Sequence, residues 1–155
     1  MESTAETTKV EREIAIAARP QTVWAFLVDE AKMTRWMGMT VELDPRPGGI
    51  YLCGVIPGHT ARGEFVELDP PHRLVFTFGW DASDGGPNTV PPGSSTIAID
   101  LVPDGEGTLL RFVHELATID SATSHSTGWD HYLGRLAVVA GGGDAGADPW
   151  VTQSG

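Results

Sequence analysis

The chain has a single cysteine, Cys53, among its 155 residues, so no disulfide closes within it. Basic residues are scarce: ten Lys and Arg stand against twenty-one Asp and Glu, a formal charge of −11 at pH 7. Such a surface repels a phosphate backbone and offers no basic patch to nucleic acid or an anionic membrane, so neither is expected as a partner. No apolar run approaches the roughly 20 residues that span a bilayer. The polar stretch Met1 to Thr8 also lacks the apolar core of a signal peptide. A soluble, cytoplasmic protein is expected. There is no composition break that would divide the chain, which predicts one domain over residues 9–140 between a disordered tail (1–8) and a Gly/Asp-rich tail (141–155).

What is present is one strong helical pattern. Trp129, Tyr132, Leu133, Leu136 and Ala140 recur at the spacing of a single helix face, with Asp130, His131 and Arg135 off it. Asp120, Ser121 and Ser124 are candidate caps and Gly141-Gly142-Gly143 cannot sustain a helix, which predicts one from Ser121 to Ala140. Two shorter helical pieces, Pro20 to Val28 and Glu30 to Trp36, are predicted earlier, the first with proline in its opening turn. Everything else reads as strand. Lys9 to Ala17 alternates, and Gly/Pro-rich reversals then separate Thr40 to Leu43, Ile50 to Ile56, Thr60 to Leu68, Arg73 to Trp80, Ser94 to Val102 and Thr108 to Leu116. The expected class is α+β: a curved seven-stranded antiparallel sheet wrapped around the C-terminal helix, with two short helices after strand one.

Period-two alternation places Leu74, Phe76, Phe78 and Trp80 on one face, then Ile97, Ile99 and Leu101, then Leu110, Phe112, His114 and Leu116. These faces should look at the helix. Arg12 shares the apolar face of strand one and is expected at the sheet rim with its head in water. Trp36, Met37 and Met39 form a soft apolar cluster that reads as core, with a ligand wall as the alternative. Asp81 to Gly93 is a long breaker-rich connection, a binding loop or lid with plain disorder as the alternative. Trp150 either folds back onto the domain or is free.

Catalytic patterns are missing. His125 and His131 are six apart and point to different helix faces, so they do not make a zinc pair, and no metal or cofactor is expected. There is no G-x-S-x-G elbow, P-loop or G-x-G-x-x-G motif. Cys53, with no base beside it, reads as a buried, inert thiol. Glu67 and Asp130 have no spacing that requires them to meet His114. His114 is the one polar residue on an apolar inward face; it is either a core histidine satisfied by backbone or a ligand contact. The candidate ligand-binding residues are Trp36, Phe76, Phe78, Trp80, Phe112, His114, Trp129, Tyr132, Leu133 and Leu136, the aromatic rings giving apolar walls and the polar tips orientation.

Several short motifs come in a recognisable order: Pro20 with Val23-Trp24, Pro47-Gly48-Gly49, Gly63 to Leu74 (GEFVELDPPHRL), Gly107-Thr108, His114 and Gly128-Trp129. From about Val10 to Ala140 this set resembles the family of activator-of-heat-shock-protein-90-ATPase homologues within the START/SRPBCC superfamily. The resemblance implies the helix-grip fold, often with a cavity between sheet and helix. It further implies a hydrophobic or aromatic small molecule as partner, with a link to polyketide or enediyne metabolism, and allows a protein partner or homodimer. Three alternatives stand beside it: a resistance protein that sequesters a reactive metabolite or is cleaved by it, as the CalC-type members are, a cyclase-like enzyme, or a co-chaperone module. None of the 19 glycines is singled out as a cleavage site.

Overall fold

The alternation that marks the strands also sets their faces, and the computed structural model pairs them accordingly. It describes residues 9–56, 59–80, 95–116, 119–146 and 148–149. The elements are β1 (Lys9–Ile16), α1 (Pro20–Val28), α2 (Glu30–Met33), β2 (Thr40–Leu43), β3 (Ile50–Ile56), β4 (His59–Asp69), β5 (Arg73–Trp80), β6 (Ser95–Asp104), β7 (Gly107–Glu115) and α3 (Ile119–Ala140). The sheet order is β1-β7-β6-β5-β4-β3-β2, every pair antiparallel. The first strand therefore closes against the last, and α1 and α2 carry the chain to the opposite edge. The Asp81 to Gly93 stretch and Trp150 lie outside the described residues. No described helix is long and apolar enough to cross a membrane.

Curvature has local causes. Register shifts between Gly54 and Ile56 in β3 and between Phe65 and Glu67 in β4 mark bulges, which bend a strand and increase its twist. At Gly63 the β5 backbone comes so close that an added Cβ would lie 1.8 Å from the Thr77 carbonyl oxygen. Only glycine fits there.

Pro20 opens α1, and the Asp29 carboxylate accepts the Lys32 N–H at 3.1 Å to cap α2. The second helix stops at Met33 rather than at Trp36. Past Met33 the pattern breaks up, with Arg35 N–H to Lys32 O and Trp36 N–H to Met33 O of three-residue reach beside Met37 N–H to Met33 O of four, and Gly38 turns the chain at φ 102°. α3 begins two residues before the predicted start and ends as predicted, in a Schellman arrangement: Gly143 N–H bonds Val138 O, Gly142 N–H bonds Val139 O, and Gly142 has φ 98°.

The core lies between the concave sheet and α3, whose Trp129, Tyr132, Leu133, Leu136 and Val139 are buried. Arg12 lies at the sheet rim as expected, on the edge strand β1, but its head is not simply in water. Its Nε donates to Asp130 at 2.6 Å and its Nη2 to Ser126, so the head is held by α3 instead of free in water. The guanidinium in turn holds the Asp130 carboxyl below the usual carboxylate range. Both partners are partly exposed, so this ion pair contributes at most about 1 kcal/mol. Apolar burial does the larger part of the joining. Leu136, fully buried, should cost about 2–5 kcal/mol when truncated to alanine, against about 1 kcal/mol or less for Arg12→Ala. Urea unfolding of the two variants checks this ranking, and a larger loss from Arg12→Ala would contradict it.

Candidate ligand site

Between the sheet and the helical layer, five inward side chains of the sheet meet five from α1, α2, α3 and the turn after α2. Tyr51 of β3, Leu74 and Phe76 of β5, Ile99 of β6 and Phe112 of β7 form the floor; Leu27, Met33, Trp36, Trp129 and Leu133 form the roof. Between them is a cavity of about 10 Å³ accessible to the centre of a water molecule. That is room for roughly one water. The wall is aromatic and aliphatic on every side, with Tyr51 stacked on Phe76 at 4.3 Å between centroids and Phe112 at 4.7 Å from Trp129.

Five of the ten sequence-chosen residues line this cavity: Trp36, Phe76, Phe112, Trp129 and Leu133. The other five are placed elsewhere. Phe78 and Trp80 belong to an adjoining aromatic cluster with His114 and His125, in which the Trp80 indole donates to His125 Nε2 at 3.0 Å. Tyr132 gives its hydroxyl proton to the Asp148 carboxylate at 2.6 Å, and His131 meets the other oxygen of that carboxylate at 2.9 Å. Leu136 packs in the core away from the wall. Sequence reading did not select Leu27, Met33, Tyr51, Leu74 or Ile99. Leu74 and Ile99 were on its inward faces, and Tyr51 shares a face with Cys53 and Val55, a period-two signal that the apolar residues between them blur.

His114 is fully buried and both its ring nitrogens are engaged. The Trp129 indole donates to Nδ1 at 2.9 Å, which leaves the ring proton on Nε2, directed at Ser95 Oγ 2.8 Å away; Ser95 passes its own proton to the Phe78 carbonyl. The histidine is thus satisfied by side chains rather than by backbone, and it does not line the cavity. The Trp36 indole is also engaged, donating to Phe26 O at 2.9 Å. The groups expected to orient a ligand, His114, Tyr132 and the Trp36 and Trp129 indole N–H groups, all spend their hydrogen bonds inside the protein, because buried polar atoms need partners whether or not a ligand is present.

Tyr51 is different. Its side chain is buried, its hydroxyl has no hydrogen-bond partner among the described residues, and burial pushes its pKa well up, so it stays protonated. Burial also raises the Cys53 thiol to about 12, which leaves it inert at neutral pH. Among the described residues no three His, Cys, Asp or Glu side chains gather to hold a metal ion.

Desolvation, and then the nearby His125, lower the His114 pKa from 6.5 to about 3. The unfolded chain therefore takes up this proton first. The histidine's contribution to stability is whole above about pH 6.5, shrinks as pH falls and is gone near pH 3, with a slope of up to about 1.4 kcal/mol per pH unit. His114→Phe should remove that slope, while lowering stability at neutral pH by about 1–3 kcal/mol for each partner left unpaired, Trp129 N–H and Ser95. Urea unfolding of both proteins between about pH 4 and 7 measures it. Parallel curves would contradict a neutral buried imidazole.

Residues 17–141 match the family described as Activator of Hsp90 ATPase homolog 1-like protein. The chain is 45% identical to an AHSA1-like protein of Rhizobium etli, covering 97% of this chain and 92% of that one with a TM-score of 0.72. It shares its fold with CalU16 of Micromonospora echinospora (22% identity, 86% and 76% covered, TM-score 0.68). It shares it also with DynU16, a protein from the dynemicin biosynthetic locus (19% identity, TM-score 0.77), covering 92% of this chain and about half, 51%, of that one. No curated protein matches the chain. The helix-grip architecture, the family match over most of the length and the identity to the Rhizobium etli protein lead to one conclusion: the chain belongs to the Activator of Hsp90 ATPase homolog 1-like family.

Proposed function

We propose that the protein binds a small hydrophobic or aromatic molecule between its sheet and its C-terminal helix. The observation that carries this reading is the cavity at the centre of the fold, walled by apolar and aromatic side chains from the sheet, from α3 and from the α1–α2 segment together. Apolar burial supplies the affinity, at about 25 cal/mol per Å² removed from water. A cavity of this size is too small for such a guest, since an apolar cavity of about 150 Å³ is what admits benzene. Binding therefore selects a more open form. The wall with most freedom is Leu27 and Met33: α2 is a single turn of four residues, and the unbranched Met33 thioether changes shape readily. The sheet and α3 are held by their own hydrogen bonds and move less.

Sequestration of a reactive metabolite and cyclisation of a polyketide are finer versions of the same reading, and DynU16 from the dynemicin locus is the relative that suggests them. The wall supplies no carboxylate, imidazole or thiol for acid–base work. Simple binding is therefore preferred. A second reading, a domain that acts through its outer surface on another protein, is favoured by how nearly the side chains fill the core.

Titration with flat apolar aromatics and with fatty acids separates the two. Tryptophan emission should change on binding, Trp36→Phe and Trp129→Phe should each remove part of that change, and Met33→Ala, with a wall side chain cut back, should bind severalfold more tightly. An emission unmoved by every probe, in wild type and in Met33→Ala alike, would leave the interaction-module reading in place of binding.

A further inference from the structure

One polar group among the cavity-lining residues is unspent. Of the lining side chains three carry a polar hydrogen, Trp36, Trp129 and Tyr51; the two indoles donate to Phe26 O and His114 Nδ1, and the Tyr51 hydroxyl bonds no described residue. Tyr51 is only 2% exposed, so bulk water does not serve it. A buried hydroxyl without a partner is destabilising, and such a group in a native fold calls for one. Rotating the ring away is not an easy remedy, because it is stacked on Phe76 at 23° and met edge-on by Phe65 at 80°.

A single water is the first candidate partner, and the cavity is about large enough for it. It is a poor one. A buried water makes about two to four hydrogen bonds, and the lining residues have at most one free polar group to give, the rest being carbon, sulfur or indoles already engaged. What fits one donor in an otherwise apolar wall is a guest with one acceptor on an otherwise apolar body.

Resting on the ligand-binding reading above, we infer that Tyr51 is the specificity-determining residue of this site: its hydroxyl donates a hydrogen bond to the one carbonyl oxygen of a small, flat, otherwise apolar ligand. The phenol is suited to donating rather than accepting charge. Burial raises its pKa well above 10, so the proton is in place at every physiological pH. The aromatic side chains Phe76 and Phe112 in the same wall suit a planar ring system.

The test uses the full chain and two probes of nearly the same shape, 1-indanone and indane, titrated by chemical-shift perturbation into wild type and Tyr51→Phe. The quantity read is the ratio of the two dissociation constants, since comparing it between proteins cancels the difference in hydration of the probes. The preference for indanone should fall about tenfold in Tyr51→Phe, with indane binding unchanged. An unchanged ratio overturns the role of Tyr51 and leaves apolar binding standing. Failure of both probes to bind either protein overturns the binding reading and this one with it. Stability gives an independent readout: in the empty protein Tyr51→Phe deletes only an unpartnered oxygen, so its urea midpoint should match or exceed that of wild type. A lowered midpoint, or a variant that does not fold, shows that the hydroxyl already has a partner and overturns the inference.

Discussion

Across the interface between helix and sheet, a buried indole and a buried imidazole satisfy one another, and the placement of the site depends on that bond. Trp129 lies on α3 and His114 on β7; left alone, each would be a polar group without water, at a cost of about 1–3 kcal/mol. Bonded together, and with Ser95 completing the chain to the Phe78 carbonyl, they cost little and fix the rotation of α3 about its axis. A helix held only by apolar contacts can turn or slide over a smooth surface. With Trp129 fixed against His114, Leu133, one turn further on, must face the sheet, and so must Leu136 after it. The histidine thus shapes the cavity without lining it.

Packing and binding pull in opposite directions here. A filled core favours the empty fold, because each void deprives its lining of contacts, while a guest needs space. The fold separates the two demands by location. The floor is sheet, hydrogen-bonded on both sides of each central strand, and α3 is fastened by the indole bond, by Arg12 with Asp130 and by Arg135, which donates to the carbonyls of Trp36, Ala145 and Gly146. Between them the roof of Leu27 and Met33 sits on a helix of nine residues and one of four. Any change of volume is cheapest there. The Arg135 bond to Trp36 O also ties the end of that segment to α3, which confines the movement to the residues before it.

Much of this was readable from the residues. Apolar spacing gave α3 to within two residues at its start, breakers gave all seven strands, and alternation put Phe76, Phe112 and His114 on the inner face, because these signals are local. Tyr51 was harder. The run Ile50-Tyr51-Leu52-Cys53-Gly54-Val55-Ile56 is apolar nearly throughout, so its period of two is blurred and no residue stands out as inward. Leu27 and Met33 reach the cavity only because α1 and α2 cross to the far edge of the sheet, which is a matter of tertiary placement. The engagement of Tyr132 by Asp148, and of Arg12 by Asp130, joins positions far apart in the chain. No periodicity announces such pairs. Where a polar tip was expected to reach a ligand, a distant partner had taken it first.

The central claim is that a guest enters between sheet and α3 under the Leu27–Met33 roof. Methyl-resolved NMR with 1-indanone tests it most directly, through nuclear Overhauser contacts between the probe's aromatic protons and the protein's methyl groups. The account predicts contacts to Leu27, Met33, Leu74, Ile99 and Leu133, all on the cavity wall. Contacts confined to the exposed Met39, Val66, Val102 or Val138 methyls would place the probe on the outer surface and contradict it.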